Sequence, residues 1–291
     1  MSFAHILRYD LSNRAKKYAQ AQSLPHCLSY GASSVVCFEP FDNSLHGNFL
    51  PASYKAIATN PQWHRRLAKV HTSARRSLPR GGTRLWRELD SCTSSDALLM
   101  NVFCYPKLLT NVRVARTLGL QPGVVPHFGF PARVPLEINR CDRTEVDMRL
   151  GDLLVEAKLT EGDFQRAEKV KVVRYRDFLD VFEHDRLPQS ETHYEGYQLI
   201  RNVLAAHASR CSFCVLLDAR RPDLLEAFYA VVKCVTPVDL RTACRVLTWQ
   251  ELAGVLPQKL QAFLAAKYGI ESAGKPSCVG APRSTRMSPP S

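Results

Sequence analysis

The stretch Glu145-Val-Asp-Met-Arg-Leu-Gly-Asp-Leu-Leu-Val-Glu-Ala-Lys158 constrains this chain more than any other. Val146, Met148 and Leu150 alternate with Glu145, Asp147 and Arg149. Beyond Gly151-Asp152, Val155, Ala157 and Leu159 alternate with Glu156 and Lys158. Alternation on both sides of a Gly-containing pair predicts a tight β-hairpin, because glycine takes the positive φ that two-residue turns need. The turn then fixes the register: Leu150 faces Leu153, Met148 faces Val155, Asp147 faces Glu156 and Glu145 faces Lys158. Opposed residues share a sheet face at roughly 5 Å. Two carboxylates so placed repel each other unless a cation lies between them. A divalent metal on Asp147 and Glu156, with the Lys158 ammonium beside it, suits cleavage of phosphodiesters. The competing reading is a solvated charged face, with Arg149 as the neutralising cation.

The rest of the composition bears on the partner. A formal net charge of +12 over 291 residues points to a polyanion, nucleic acid first and an anionic membrane surface second. A basic protein with no such partner is the alternative. With 45% hydrophobic and 23% charged residues, the chain has an ordinary globular balance. No apolar run approaches the length of a membrane span, and the first residues lack the features of a signal peptide. Ten cysteines are scattered, several of them within apolar runs, which suits buried thiols in a reducing cytoplasm. Cys211-Ser-Phe-Cys214 falls in an expected strand, where alternation sends its two sulfurs to opposite faces and disfavours zinc.

Along the chain, a helix is expected over Leu11–Gln22 and a strand over Ser33–Glu39. Asn60-Pro61 should start a helix, with asparagine capping and proline at the first helical position. From Asn60 to Arg87 the chain carries Arg65, Arg66, Lys69, Arg75, Arg76, Arg80, Arg84 and Arg87 and no acid. Trp63 and Trp86 flank this run, which reads as a phosphate-contacting arm or as a solvated basic face. Ser94-Ser95-Asp96 should cap a helix over Ala97–Cys104, and Leu108–Leu118 should be helical up to Gly119. Pro122, Pro126, Pro131 and Pro135 mark a turn-rich passage before a strand around Leu136–Ile138. After the hairpin come a helix over Tyr194–His207, a strand over Cys211–Asp218, and a helix from Pro222 through Val232. A strand over Ala243–Thr248 and a helix from Trp249 to Tyr268 follow. This order predicts an α/β fold, a mixed sheet flanked by helices. The expected organisation is an N-terminal mixed region with a basic arm (1–84), a core (85–270) and a disordered tail (271–291).

The pattern resembles the PD-(D/E)XK nuclease superfamily, the restriction-endonuclease-like fold, and within it a bacterial restriction-endonuclease-like group. The match is Asp147 on one strand, Glu156-Ala157-Lys158 on the next, and then a helix carrying Gln198; it covers about residues 85–268. The residue before Asp147 is Val146 rather than proline, a departure that many members also tolerate. The resemblance implies Mg²⁺ or Mn²⁺ held by Asp147 and Glu156, with help from the Ala157 carbonyl, and Lys158 orienting water or stabilising phosphate charge. Gln198 would position the nucleophile or the backbone. A further acid would come from Glu88, Asp96 or Glu137, the last on the strand before the hairpin. Nucleic acid, DNA before RNA, is the implied substrate, in the cytoplasm, with dimerisation open. Two alternatives stand beside it: a nuclease-like fold that binds DNA without cutting, and a Mg²⁺-dependent enzyme acting on a small phosphorylated substrate.

Overall fold

Gly151, with φ of +54°, closes the hairpin, and the strands pair Leu150 with Leu153 and Met148 with Val155. In the computed structural model, residues 1–30, 34–40, 45–70, 78–79 and 85–272 are described. The hairpin is the middle of a five-stranded mixed sheet: β1 (Pro126–Pro131), β2 (Glu145–Leu150), β3 (Leu153–Ala157), β4 (Ser212–Leu217) and β5 (Cys244–Thr248). Spatial order is β5-β4-β3-β2-β1. The pairs β1–β2 and β2–β3 are antiparallel, while β4 runs parallel to both β3 and β5. Parallel neighbours need a crossover, and helices supply it, so β3 and β4 are covered on both sides and almost wholly buried.

Among the described residues twelve α-helices flank the sheet. Those that bear on the site are α1 (Phe3–Ala21), α2 (Pro61–Arg66), α3 (Ser95–Phe103), α4 (Tyr197–Ser209), α5 (Pro222–Val232) and α6 (Gln258–Tyr268). On one side, Leu199, Ile200 and Val203 of α4 and Phe228 of α5 pack on Leu154, Phe213 and Val215. On the other, Leu7 and Leu11 of α1, Leu98 and Val102 of α3, and Leu260 and Leu264 of α6 pack on Leu153, Val155 and Leu216. Cys211 belongs to the first of these clusters and Cys214 to the second, so the two thiols lie on opposite sides of the sheet. A polar tie crosses the second side. The fully buried Lys267 of α6 donates to the Asn48 carbonyl at 2.6 Å, and burial pushes its ammonium pKa well down.

Several expected elements shift for identifiable reasons. The first helix begins at Phe3 rather than Leu11, because Ser2 caps it, and its buried stripe of Leu7, Leu11, Ala15 and Ala19 is half alanine. Of the expected Ser33–Glu39 strand, Ser33 lies outside the described residues, and among the rest Val36–Phe38 forms the strand, paired with His26–Leu28. The outer sheet strand is the proline-bounded Pro126–Pro131, not the segment around Leu136. Proline is tolerated there because β1 is an edge strand with an unpaired side. Val134–Leu136 instead forms a separate ribbon with Arg140–Asp142. Tyr194 lies in a short strand, His193–Glu195, and α4 starts at Tyr197 after Gly196 takes a positive φ of 69°. The segment Leu108–Leu118 splits into a 3₁₀ turn and a helix capped by Asn111. The expected helix Trp249–Tyr268 breaks at Gly254–Pro257, since proline lacks the N–H needed to continue it. Residues 273–291, most of the expected tail, lie outside the described residues. Among the described residues no helix is long and apolar enough to cross a membrane.

Regular alternation fails at one place, and it positions the site. Met148 packs in the second apolar cluster while Val146, two residues away, packs in the first. Opposite this break, Gly129 on β1 has φ of +61°. A Cβ at Gly129 would collide with the Arg66 guanidinium, which bonds Glu145 Oε2 at 2.6 Å. Gly129→Ala is therefore expected to destabilise the protein by about 1–3 kcal/mol. Equilibrium urea unfolding checks this, and an unchanged midpoint would mean the strand tolerates a side chain here.

Candidate active site

Glu156 on β3 and Lys158 just past its end face α4 and are almost fully buried, with 2% and 4% of their surfaces exposed. Lys158 Nζ sits 2.9 Å from Glu156 Oε1 and donates to Gln198 Oε1 at 2.8 Å. Asn202 Nδ2 donates to Glu156 Oε2 at 2.8 Å. The match is one of spacing. Residues four apart on a helix rise roughly 6 Å, and residues two apart on a strand span roughly 6.6 Å. Gln198 and Asn202 thus meet Lys158 and Glu156 as two rungs between a helix and the strand beneath it. Arg201, beside them and also buried, donates to Asn202 Oδ1 at 3.1 Å and to the Glu145 carbonyl at 3.2 Å.

Asp147 comes in from the neighbouring strand. The paired ladder between β2 and β3 ends at Met148 and Val155. Past that point Asp147 Oδ2 accepts the Ala157 N–H at 2.8 Å, so a carboxylate caps a donor that the interrupted ladder would leave orphaned. Burial, then the Glu156 carboxylate, then Asp96 push the Asp147 pKa well above its ordinary value; Lys158 and the Ala157 N–H only partly offset them. For Lys158, burial acts to lower the pKa, but Glu156, Glu161 and Asp147 together outweigh it and hold the ammonium above its usual range. Arg149 does not neutralise these acids. Its guanidinium bonds the Gly151 carbonyl at 2.8 Å and lies over the Phe130 ring. Glu145, expected opposite Lys158, pairs with Arg66 instead because the strands diverge there.

These groups open into a polar cleft of about 460 Å³ whose lining includes Asp147, Glu156, Lys158, Gln198, Glu88 and Glu161. Glu161 follows β3 in a loop held from below. Arg221, with no exposed surface, donates to the carbonyls of Leu159, Glu161 and Gly162 at 3.2, 2.7 and 3.1 Å. Above it, Ser95 at the start of α3 donates to Glu161 Oε1 at 2.6 Å. Asp96, next to Ser95, is 3% exposed and pairs with Arg66 at 3.2 Å and with Lys69. Lys69 also reaches Glu88 Oε1 at 3.0 Å.

The structure therefore brings Asp147, Glu156, Lys158 and Gln198 together, with Glu88 on the cleft wall and Asp96 close enough to raise the Asp147 pKa. Glu137 is elsewhere. Ile138 and Asn139 take positive φ and make a turn there, so Glu137 stands exposed at the tip of the separate ribbon and does not line the cleft. Of the basic run, Arg66 and Lys69 are engaged with carboxylates, Arg65 is exposed on α2, and Arg87 precedes the 3₁₀ turn Glu88–Asp90. Arg75, Arg76, Arg80 and Arg84 lie outside the described residues. Sequence reasoning missed Asn202, Arg201, Glu161 and Arg221. Asn202 was within reach, since it lies one helical turn beyond Gln198. Glu161 and Arg221 had no local signal, because their roles depend on where α3 and α5 dock.

A mixed sheet sandwiched by helices, with acids and a lysine meeting at the divergence of two strands, defines a restriction-endonuclease-like core. A family model described as Restriction Endonuclease associating with ARP matches residues 12–269, and the chain belongs to that family. Comparison with curated proteins and with solved structures gives no match.

The Asp147 environment makes a stability prediction with a definite sign. A carboxyl whose folded pKa is raised stabilises the fold fully only below its unfolded value near pH 4, and that contribution is lost as pH rises through the folded pKa. Asp147→Asn keeps an acceptor for the Ala157 N–H and removes the charge. It should stabilise the metal-free protein at neutral pH by on the order of 1 kcal/mol, with the gain vanishing toward pH 4. Thermal melts across pH check this, and a variant less stable at pH 7 would refute the electrostatic reading.

Proposed function

We propose that this protein is a metal-dependent nuclease of the PD-(D/E)XK type that hydrolyses phosphodiester bonds of nucleic acid, with DNA as the first substrate. The observation that supports this best is the convergence of Asp147, Glu156 and Lys158 at one cleft, with the Lys158 ammonium 2.9 Å from Glu156. Asp147 and Glu156 offer hard oxygen donors, which fit Mg²⁺ or Mn²⁺ rather than zinc. Among the described residues no group of three His, Cys, Asp or Glu converges on a metal position. Two carboxylates with retained waters are, however, the mode Mg²⁺ commonly adopts. Two further features fit a cation at this place. Burial first, and then the Glu156 carboxylate, keep the Asp147 carboxyl prone to protonation, and a cation between the two acids would offset the second of these. Glu156 Oε1 keeps a second lone pair beyond the one engaged by Lys158.

Asp147 and Glu156 would hold the ion, which would supply Lewis acidity toward the scissile phosphate and a bound water. The chain's own residues do the rest. Lys158, kept charged by three surrounding carboxylates, stands ready to stabilise charge growing on the phosphate. Gln198 fixes the direction of that ammonium, and Asn202, steadied by Arg201, fixes the Glu156 carboxylate. The net charge of +12 supplies salt-sensitive affinity for the phosphate chain. The family's description also names association with ARP, which we extend to this chain as part of the proposal.

Purified protein is expected to cut DNA with Mg²⁺ or Mn²⁺ and to stop when the metal is chelated. Asp147→Ala or Lys158→Ala should lower the rate roughly a hundred-fold or more while DNA binding persists. Cleavage at the wild-type rate by both variants would move the chemistry to another site.

A further inference from the structure

A second concave surface lies beside the first, and the proposed chemistry does not use it. Between α2 and the outer strand β1 runs a groove of about 450 Å³, lined by Trp63, Arg65, Arg66, His127, Phe128 and Phe130 among others. Its aromatic wall is fixed in place. The Trp63 indole donates to the Pro126 carbonyl at 3.0 Å, and its ring meets Phe128 edge-on with centroids 6.2 Å apart. Arg65 and His127 stand exposed at the opening. The acid in the groove, Glu145, is neutralised by Arg66 at 2.6 Å.

We infer that this groove receives unpaired bases of the nucleic acid next to the point of cleavage, so that the substrate carries a single-stranded segment. The inference rests on the nuclease reading for the identity of the strand that enters. Three features point to that occupant. Aromatic rings beside cationic side chains are what sequence-tolerant single-strand binding uses, because every base has a π-face. Paired bases cannot present that face, so a duplex has to open to fill the groove. A protein strand adding to the sheet edge is a poor competitor, since Pro126 and Pro131 remove N–H donors from β1. The groove also adjoins the cleft, though the two share no lining residue. Glu145 is two residues from Asp147 on β2, roughly 6.6 Å along the strand, and Arg66 touches both Glu145 in the groove and Asp96 behind the cleft. That separation is on the order of one or two nucleotides of a chain.

The test measures binding of a labelled oligothymidine and of a blunt duplex of equal length to the full chain, without divalent metal, at fixed low salt. Wild type is compared with His127→Ala, Arg65→Ala, Trp63→Ala and Trp63→Phe. Trp63→Ala and His127→Ala are expected to weaken oligothymidine binding roughly ten-fold, with duplex binding changed less than about two-fold. Trp63→Phe, which keeps an aromatic face, should recover most of the loss. Because Trp63 also braces β1, the exposed His127 and Arg65 variants carry the result if Trp63→Ala melts early. Equal loss for both ligands, or no loss for oligothymidine in His127→Ala and Arg65→Ala, overturns the inference. Cleavage assays on the same proteins separate the two ideas. Metal-dependent cutting with base-independent binding sinks the groove alone, and selective oligothymidine binding without any cutting sinks the nuclease reading alone.

Discussion

Glu156 and Lys158 are opposite charges held 2.9 Å apart almost out of reach of water, and the surrounding architecture is arranged to permit that. A buried pair of this kind gains little over apolar side chains unless its remaining hydrogen-bonding capacity is met. Here α4 meets it. Gln198 takes the lysine, Asn202 takes the carboxylate, and the two rungs match the repeat of the strand beneath. The crossover helix that joins β3 to β4 is therefore also the element that makes a charged site tolerable in the middle of the sheet. Lose the register between α4 and β3 and both charges are stranded.

A third charge is only partly compensated. Asp147 reaches across from β2, where the ladder has ended and its side chain caps the Ala157 N–H, into the field of Glu156 and Asp96. Lys158 offsets part of that field, while other cations near the site are engaged elsewhere: Arg149 with the Gly151 carbonyl, Arg66 and Lys69 with Asp96 and its neighbours. A buried acid whose pKa is pushed up by neighbouring acids is a common mark of a functional position. The family to which the chain belongs, named for a restriction endonuclease, fits that interpretation.

Much of this was legible in the sequence because it is local. The Gly151-Asp152 turn sets the hairpin register by counting, Asn60 and Ser94 cap the helices they precede, and Pro222 opens α5. Apolar runs on both sides of the motif give the covered, partly parallel sheet. What was not legible depends on contacts between distant segments. The outer strand was hidden by Pro126 and Pro131, which an edge position tolerates, and Leu136–Ile138 looked more strand-like than it proved. Glu137 goes with that segment, away from the cleft. The basic run looked uniform, yet Arg66 and Lys69 are drawn inward by Asp96, an acid 30 and 27 residues away. The clamp of Arg221 on the loop carrying Glu161 joins residues 60 apart and has no periodic trace at all.

The central claim is that Asp147 and Glu156 jointly hold a hard divalent cation. A crystal of the wild-type protein grown with Mn²⁺ and measured for anomalous scattering tests it without reference to activity. The account predicts a peak bonded to oxygens of both carboxylates at roughly 2.1 Å, with waters completing the shell. An ordered cleft with Mn²⁺ bound elsewhere, or with the two acids unchanged and no peak between them at saturating metal, would contradict it.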